Sequence, residues 1–397
     1  MTPEVGTAGP LGPAAGPTKP VGRTVRIVRG GADVAALLDA AGPLIDQSGV
    51  PFCARSPWLS AWYRCFRVRP LAVAVFEDGQ VVGLACLALH RKGPLCTVTL
   101  AGHGPSDYGR LPARDGEVAA ELAAGIVDAL ASVRGPWRLV LDQLPVGDPV
   151  ARALRGRLVG ARLEPAQGSP RLTFGADRRV ERVLSGGTRR EYRRGQNRLR
   201  EAGVAFEIRR IADPAGVATA LPAIVAAHRA RDRAVGRRSD LDPRPSRALF
   251  IEAVQALADA GTLDLWVMYL DGAIGAYFVG VRDGGSFRIM DGRMSGLWRS
   301  ASPALLLRHD LTAALLADPS IVEIDYMRGV LAHKTQDASY VEPAEALLAE
   351  SAGWVAHATR GWHRAKRILR ERVPPVTRTW IARLRSRLAA GDTDHRV

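Results

Sequence analysis

Alternation of apolar and polar positions is clearest in the second half of the chain. Leu265–Leu270 and Ala273–Val281 flank Asp271-Gly272. Both turn residues tolerate positive φ, so this pattern predicts a tight β-hairpin. Further short apolar runs predict a third strand at Ser286–Met290 and a last one at Ile321–Tyr326.

A helix is predicted between these last two strands. The apolar run Ala304–Leu316 follows Ser302-Pro303, and serine at the cap with proline at the first helical position is typical of a helix start. The first helical turn leaves backbone N–H groups free at the positive end of the dipole, which favours an anion. The pattern therefore predicts a phosphate site, and the residues assigned to it are Arg299, Ser300, Ala301, Ser302 and Ala304.

The first half of the chain repeats this order of elements. A strand–turn–strand unit around Glu77-Asp78-Gly79 is followed by a strand at Leu95–Ala101, a helix at Glu117–Leu130 and a strand that ends at Asp142. Asp142 occupies a position similar to that of Asp325 in the second half. We infer an internal duplication of one α/β unit.

The chain length and this duplication predict two packed halves. Residues 1–22 are rich in Gly, Pro and Ala without periodicity, and a disordered tail is expected there. The N-terminal half is assigned to residues 23–165 and the C-terminal, catalytic half to residues 180–352. A basic helical tail is assigned to residues 353–397.

One loop of the first half is unusually dense in glycine and polar residues. It covers Gly102–Arg110 and contains Ser106-Asp107-Tyr108. Asp107 has the chemistry to bind or deprotonate an amine, and Tyr108 to orient it. The alternative is an Asx-type turn closed by Asp107, with Tyr108 packed beneath it.

Short motifs resemble those of a known family. Asp325-Tyr-Met-Arg-Gly329 followed by Lys334 resembles the Asp-Phe-x-Arg-Gly…Lys pattern of the FemAB-like and CelD (BcsL)-type branch of the GNAT N-acyltransferases. Ser302-Pro303 resembles the Ser-Pro-Gly helix start of that branch, with Ala304 in place of the glycine. The Ser106–Tyr108 triplet is similar to one in the CelD-type proteins.

This resemblance implies an α/β (α+β) fold of tandem GNAT-like domains, each with a mixed, mostly antiparallel sheet flanked by helices. It also implies acyl-CoA (acetyl-CoA) as co-substrate, with the pantetheine arm between Ser286–Met290 and Ile321–Tyr326. The N-terminal half is not expected to bind CoA, because its third strand leads into Gly102–Arg110 and not into a Ser-Pro helix start.

Acylation of an amine requires a group that takes its proton and, for the thiolate, a proton donor. Asp325 is predicted to bind the amine or act as general base, and Tyr326 to donate the proton. Lys334 is predicted to meet an anionic group of the acceptor, or alternatively to pair with Asp325. The residues assigned to acceptor binding are Asp107, Tyr108, Asp291 and Arg328. Asp325 alternatively has a structural role as the partner of Arg328 or Lys334.

Charge widens the set of partners. The net charge is +15, from 55 basic and 40 acidic residues. Only four of the basic residues are lysine, so arginine richness by itself is weak evidence for nucleic-acid binding, and no DNA partner is expected. The basic stretch Arg182–Arg200 predicts a helix that binds CoA phosphates or tRNA, or alternatively a solvated helix face. His228 is expected to be structural.

Three functions remain in competition. The leading one is an acyl-CoA-dependent N-acyltransferase acting on a small-molecule amine, an amino sugar or a cell-envelope precursor. The second is a FemAB-like aminoacyltransferase that uses aminoacyl-tRNA. The third is a non-catalytic accessory protein of polysaccharide synthesis.

The remaining patterns concern location and cofactors. The sequence has no apolar run long enough to span a bilayer and no secretion signal, so a cytoplasmic protein with reduced cysteines is expected. Trp354–Val373 and Thr377–Leu388 are predicted to be basic amphipathic helices. They are expected to pack on their own domain or to lie on the inner face of the membrane. No metal-binding pattern or Walker loop is present, so no metal is expected.

Overall fold

A computed structural model describes residues 22–351 of the chain. The predictions for a disordered N-terminal tail and for basic C-terminal helices therefore fall outside the described residues, apart from residue 22. Strands of the first half are β1 (Arg23–Arg29), β2 (Arg69–Glu77), β3 (Gln80–Lys92), β4 (Leu95–Leu100), β5 (Trp137–Pro145) and β6 (Arg162–Thr173). Strands of the second half are β7 (Phe206–Ile211), β8 (Leu263–Leu270), β9 (Ala273–Asp283), β10 (Ser286–Met294), β11 (Glu323–Asp325) and β12 (Tyr340–Glu350).

Helices alternate with these strands in the same order in both halves. Those of the first half are α1 (Gly31–Ala40), α2 (Gly42–Gln47), α3 (Ser56–Cys65), α4 (Gly116–Ala131) and α5 (Pro149–Arg157). Those of the second half are α6 (Val180–Val183), α7 (Gly186–Glu201), α8 (Pro214–Ala234), α9 (Arg244–Asp259), α10 (Pro303–Leu316) and α11 (Ala332–Thr335). Short 3₁₀ turns cover Phe52–Ala54 and Arg299–Ala301.

All these strands form one continuous sheet, in the order β1-β2-β3-β4-β5-β12-β6-β11-β10-β9-β8-β7. Within it, β4 pairs with β5 and β10 with β11 in parallel, and the other neighbours are antiparallel. The predicted mixed, mostly antiparallel α/β architecture is confirmed. The separation of the sheet into two is corrected, because β12 inserts between β5 and β6 and joins the halves. The residue bounds assigned to the two halves stay a prediction.

The two predicted hairpins are present at equivalent places. Asp78-Gly79 joins β2 to β3, and Asp271-Gly272 joins β8 to β9. The φ angles are 49° and 81° in the first turn and 48° and 78° in the second. Positive φ at both central residues is the type I′ geometry that matches the twist of the strands. This repetition supports the inferred duplication.

Three apolar clusters cover the sheet. One face carries a core that runs across both halves, because α1–α3 and α8–α9 pack side by side on it. The other face is covered by α4 and α5 in the first half and by α7 and α10 in the second. Trp58 and Trp62 are buried in the shared core.

Several element bounds differ from the sequence-based prediction. The third strand of the second half extends to Met294 through a bulge between Ile289 and Asp291, where a loop was expected. The last predicted strand shortens to Glu323–Asp325. The four cysteines are free thiols. None of the helices between residues 22 and 351 has the length and apolar character needed to cross a membrane.

Candidate functional site

Predicted site residues from both halves meet where the sheet passes from one half to the other. Tyr108, in the loop after β4, donates a hydrogen bond from Oη to Asp325 Oδ2 at 2.6 Å. Arg328 places Nε 3.2 Å from Asp107 Oδ1 and donates from Nη2 to the carbonyl oxygen of Gly104 at 2.9 Å. We call Asp107, Tyr108, Asp325, Arg328 and Lys334 the junction site.

Asp325 is the buried centre of this site. Its side chain has no exposed surface, and Oδ2 also contacts Arg288 and lies 3.6 Å from Arg171 Nη2. Oδ1 accepts a hydrogen bond from the backbone N–H of Met327 at 2.8 Å. The alternative structural role is therefore found with different partners, because Arg288 and Arg171 take the place considered for Arg328 or Lys334. With both oxygens occupied, Asp325 is arranged to hold the junction together, and its catalytic role stays a prediction.

Asp107 is the carboxyl group of the site that solvent reaches. Its side chain is 19% exposed, whereas that of Asp325 is fully buried. Burial raises the pKa of Asp107, and the nearby positive charges of Arg328 and Lys334 oppose that rise only in part. A carboxyl group with a raised pKa is better suited to accept a proton near neutral pH than an ordinary one. Its contact with Arg328, across the junction, replaces the Asx-type turn considered as the alternative.

Lys334, in the short helix α11, fixes the strand end that carries Arg328. Its Nζ donates to the carbonyl oxygens of Arg328 at 2.8 Å and Met327 at 3.4 Å. No carboxylate oxygen lies within 4.0 Å of this ammonium among the described residues, so the alternative ion pair with Asp325 is not formed. Burial lowers the pKa of Lys334, while Asp107 and Asp325 act in the opposite direction.

Tyr326 points away from the junction site. Successive residues of a strand face opposite sides of the sheet, so Tyr326 lies in the core under α10 while Asp325 faces the shared core. Its hydroxyl is buried without a hydrogen-bond partner among residues 22–351, and burial raises its pKa to about 12. Asp325 and Tyr326 do not face one cleft, and the predicted role of Tyr326 as proton donor is not supported by this geometry.

Asp291 is also differently placed than expected. It was expected to face the acceptor cleft, but its Oδ2 accepts from Tyr277 Oη at 2.7 Å and lies 3.0 Å from His228 Nδ1. Arg293 Nη1 donates to Oδ1 at 2.9 Å. Burial raises the pKa of Asp291, but these partners outweigh it and the net shift is downward. The carboxylate is thus occupied by a buried network, which also gives His228 its expected structural role.

The strands β10 and β11 separate after a short parallel contact. They pair only through Ser286–Arg288 and Glu323–Asp325. Beyond the bulge, β10 continues to pair with β9 as far as Met294. Among the strands of residues 22–351, none pairs with residues 289–294 on the β11 side. This stretch is consequently an open strand edge, and its residues are half-buried. Such an edge presents backbone hydrogen-bonding groups to a ligand.

The start of α10 lies beyond this open edge. Ser302 precedes the helix in the left-handed region, with φ 53°, and its side chain makes no capping hydrogen bond, which corrects the predicted serine cap. Its carbonyl oxygen instead accepts from the N–H of Leu305 at 2.9 Å. Ala301 is buried against Gly195 of α7, where a Cβ would lie 2.5 Å from the Ala301 carbonyl oxygen.

Three arginines surround this turn. Arg198 Nη1 donates to the carbonyl oxygen of Ser300 at 2.5 Å, and Arg231 approaches Gly296. Arg299 is exposed. Neither Arg231 nor Arg299 has a carboxylate within 4.0 Å in the described part of the chain, so their charge is available to an anion. Ser300 is exposed and Ala304 half-buried, and their assignment to a phosphate site stays a prediction.

Sequence reasoning missed the arginines that organise the junction. Arg288 and Arg171 are both buried, and Arg171 also contacts Glu323 and Glu342 from the neighbouring strands. In a chain with so many arginines, only their position in apolar strand patterns could have distinguished them from surface arginines.

Comparisons with known proteins agree with this geometry. Residues 186–335 match the family model described as an acetyltransferase (GNAT) domain. The structure is similar to that of FemX, with a TM-score of 0.57, 10% identity, and coverage of 81% of this chain and 96% of FemX. It is also similar to the C-terminal domain of a putative lysylphosphatidylglycerol synthetase from Agrobacterium fabrum. That TM-score is 0.53, at 14% identity, with coverage of 86% of this chain and 98% of the other.

No curated protein matches the sequence. At these identities the two structures establish the fold, and the family model identifies the acetyltransferase domain within the second half. The resemblance drawn from the sequence motifs is thereby confirmed for the acetyltransferase domain in residues 186–335.

Proposed function

We propose that this chain, a FemAB-like member of the GNAT superfamily, transfers an acyl group from acyl-CoA to the amine of a small molecule, such as an amino sugar or a cell-envelope precursor. The observation that carries the proposal is the separation of β10 from β11, beside a helix start near which Arg231 and Arg299 have no carboxylate within 4.0 Å among the described residues. Together these features offer a strand edge for an extended pantetheine arm and a cationic end for its phosphates.

The junction site supplies the acceptor side of the reaction. In the proposed step the amine loses a proton to Asp107, and its nitrogen forms a bond with the thioester carbonyl carbon. The carbon–sulfur bond then breaks, the CoA thiolate leaves and takes up a proton from solvent, and Asp107 releases its proton to solvent. Arg328 holds Asp107 in place through the 3.2 Å contact, and Tyr108 and Asp325 hold the loop on which Asp107 sits.

Acyl-CoA binding by the full chain tests the proposal. Isothermal titration with acetyl-CoA and with longer acyl-CoAs should show binding to the wild type. The double variant R231E/R299E should bind at least about tenfold more weakly, because two charge-assisted contacts are reversed. R155E/R157E is the matched control, since both arginines are exposed and lie on α5 of the first half, away from β10 and α10. Absence of binding for every acyl-CoA tried would overturn the proposal.

A second donor is favoured by one observation. Helix α7 exposes Arg190, Arg193, Arg194 and Arg200, which together form a basic face suited to nucleic-acid phosphates. Filter binding of aminoacyl-tRNA at several salt concentrations distinguishes the donors. Saturable binding with a steep salt dependence, together with no acyl-CoA binding, would replace acyl-CoA by aminoacyl-tRNA in the proposal. The non-catalytic alternative requires that neither donor be consumed in the presence of amines.

A further inference from the structure

A cluster of arginines lies at the end of the first half that is farthest along β4 from the junction site. Two adjoining grooves open there, with volumes of about 530 Å³ and 350 Å³. Both are lined by Arg69 and Arg91; Arg29 and Arg134 line the larger groove and Arg67 the smaller. We call these five arginines the basic end patch. All of them are exposed.

The charge of this patch is not compensated within the described residues. None of its five arginines has a carboxylate within 4.0 Å, although most buried or half-buried arginines elsewhere form ion pairs. No carboxylate lines either groove, and the acidic residue placed beside the larger one is Asp33, next to Gly30. Five like charges gathered on one end of a sheet repel each other unless an anionic partner is present.

The larger groove is aliphatic between its arginines, whereas Leu89, His90 and Cys96 line the smaller one. Val68, Pro70, Leu89 and Val133 line the larger groove and are all half-buried. Neither groove is lined by Phe, Tyr or Trp. Proteins that bind single-stranded nucleic acids stack successive bases on several aromatic side chains, whereas His90 is the single aromatic ring among the described residues that line these grooves. Aliphatic surface framed by arginines is instead the chemistry that suits phospholipid headgroups and the glycerol region beneath them.

We propose that the basic end patch docks the protein on a bilayer surface that contains anionic phospholipids. The strand β4 begins at the patch, and its other end leads into the loop that carries Asp107. A bilayer held at the patch therefore lies one strand length away from the junction site, which stays open to substrates.

Vesicle flotation of the full chain tests this proposal. The wild type should bind vesicles of phosphatidylcholine with phosphatidylglycerol and not vesicles of phosphatidylcholine alone. R67E/R69E/R134E should reduce the partition onto anionic vesicles at least about tenfold, since each basic residue near an anionic surface is worth roughly fivefold. None of these three guanidinium groups makes a hydrogen bond among residues 22–351, so the substitutions remove no contact of the fold.

The matched control is R152E/R155E/R157E on α5, which changes the net charge by the same amount with exposed arginines outside both grooves. It should lose less than about threefold, because the basic tail beyond residue 351 and the patch are both intact. Equal loss in the two variants, or no loss in the patch variant, would overturn the proposal.

Two further measurements separate the patch from other anion binders. Unchanged melting temperature and acyl-CoA affinity in R67E/R69E/R134E show that the variant is folded, and the neutral R67Q/R69Q/R134Q replaces it if it is not. Loss of vesicle binding in about 10 mM inorganic phosphate would contradict the proposal. A patch variant that loses tRNA binding but keeps vesicle binding would contradict it as well.

Discussion

The two halves use the same parallel strand pair in opposite ways. In the second half, β10 continues past its contact with β11 and leaves an open edge. In the first half, β4 ends at Leu100 and the chain turns back against β5. There the N–H of Gly109 donates to the Gln143 carbonyl oxygen at 2.8 Å, and a Cβ on Gly109 would lie 2.3 Å from the Asp142 carbonyl oxygen.

In the first half, the backbone of the loop after β4 thus occupies the place that corresponds to the open edge of β10. This arrangement supports the expectation that the first half does not bind CoA, which stays a prediction. The same loop carries Asp107 and Tyr108 across to Arg328 and Asp325 of the second half. In the proposed reaction, the second half offers the open edge of β10 to the donor, and the first half contributes side chains for the acceptor.

The largest expected effect concerns Asp107. If the first half supplies the base, D107N should lower kcat about 10²- to 10⁴-fold at unchanged acyl-CoA affinity. In the wild type, kcat/KM should rise with pH as Asp107, whose pKa burial raises, loses its proton, and this acid limb should disappear in the variant. D128N, an exposed carboxyl on α4, is the control. A D107N enzyme with the wild-type rate and acid limb would assign the base elsewhere.

Asp325 and Asp142 provide the comparison in stability. D325A removes the carboxylate that Arg288 and Arg171 share, although Arg288 keeps Asp283 and Arg171 keeps Glu323 and Glu342. The free energy of unfolding should therefore fall by about 1.5–3 kcal/mol in urea denaturation. Asp142 was expected at the end of its strand but lies inside β5, which continues to Pro145. D142A should cost less than about 1 kcal/mol, because Asp142 is half-buried and forms no ion pair among the described residues. Similar losses in the two variants would contradict the assigned difference.

A substitution of Gly109 tests whether the packing of the loop after β4 against β5 is needed for stability and acceptor binding. In G109A the added methyl group meets Asp142 and Leu100, so the loop must shift, at a cost of about 1–3 kcal/mol in unfolding free energy. The acceptor KM should rise with it, because Asp107 moves with the loop. G116A at the start of α4 has nothing within 4 Å of the new Cβ and should stay within about 0.5 kcal/mol of wild type. A stable G109A enzyme with normal kinetics would show that the packing is incidental.

The smallest effect is expected at Lys334. K334A should raise the acceptor KM severalfold, roughly the worth of one net hydrogen bond of about 1 kcal/mol, at unchanged acyl-CoA affinity. Because burial lowers the pKa of Lys334, the wild-type acceptor KM should rise as alkaline pH removes the ammonium charge, while that of K334A should not. K92A, an exposed lysine at the other end of the first half, is the control. An unchanged acceptor KM in folded K334A would end this assignment.

Local sequence patterns were sufficient for most elements. The Asp-Gly turns, the Pro303 helix start and the strands of the hairpins follow from backbone preferences of a few neighbouring residues. Their repetition predicted the duplication, and the short motifs around Asp107 and Asp325 identified two parts of one site. The bulge in β10 left no such pattern, since Met290-Asp291-Gly292 resembles an ordinary loop start.

The sequence by itself determined the order of elements, the two related halves and the list of residues with suitable chemistry, because each depends on local preference. Only the tertiary structure decided how the halves join and what each charged residue does. The insertion of β12 between β5 and β6 brings Tyr108 to Asp325 across 217 positions of the chain. Whether a carboxyl group is buried with two arginines, as Asp325 is, or meets solvent, as Asp107 does, depends on neighbours that are distant in sequence.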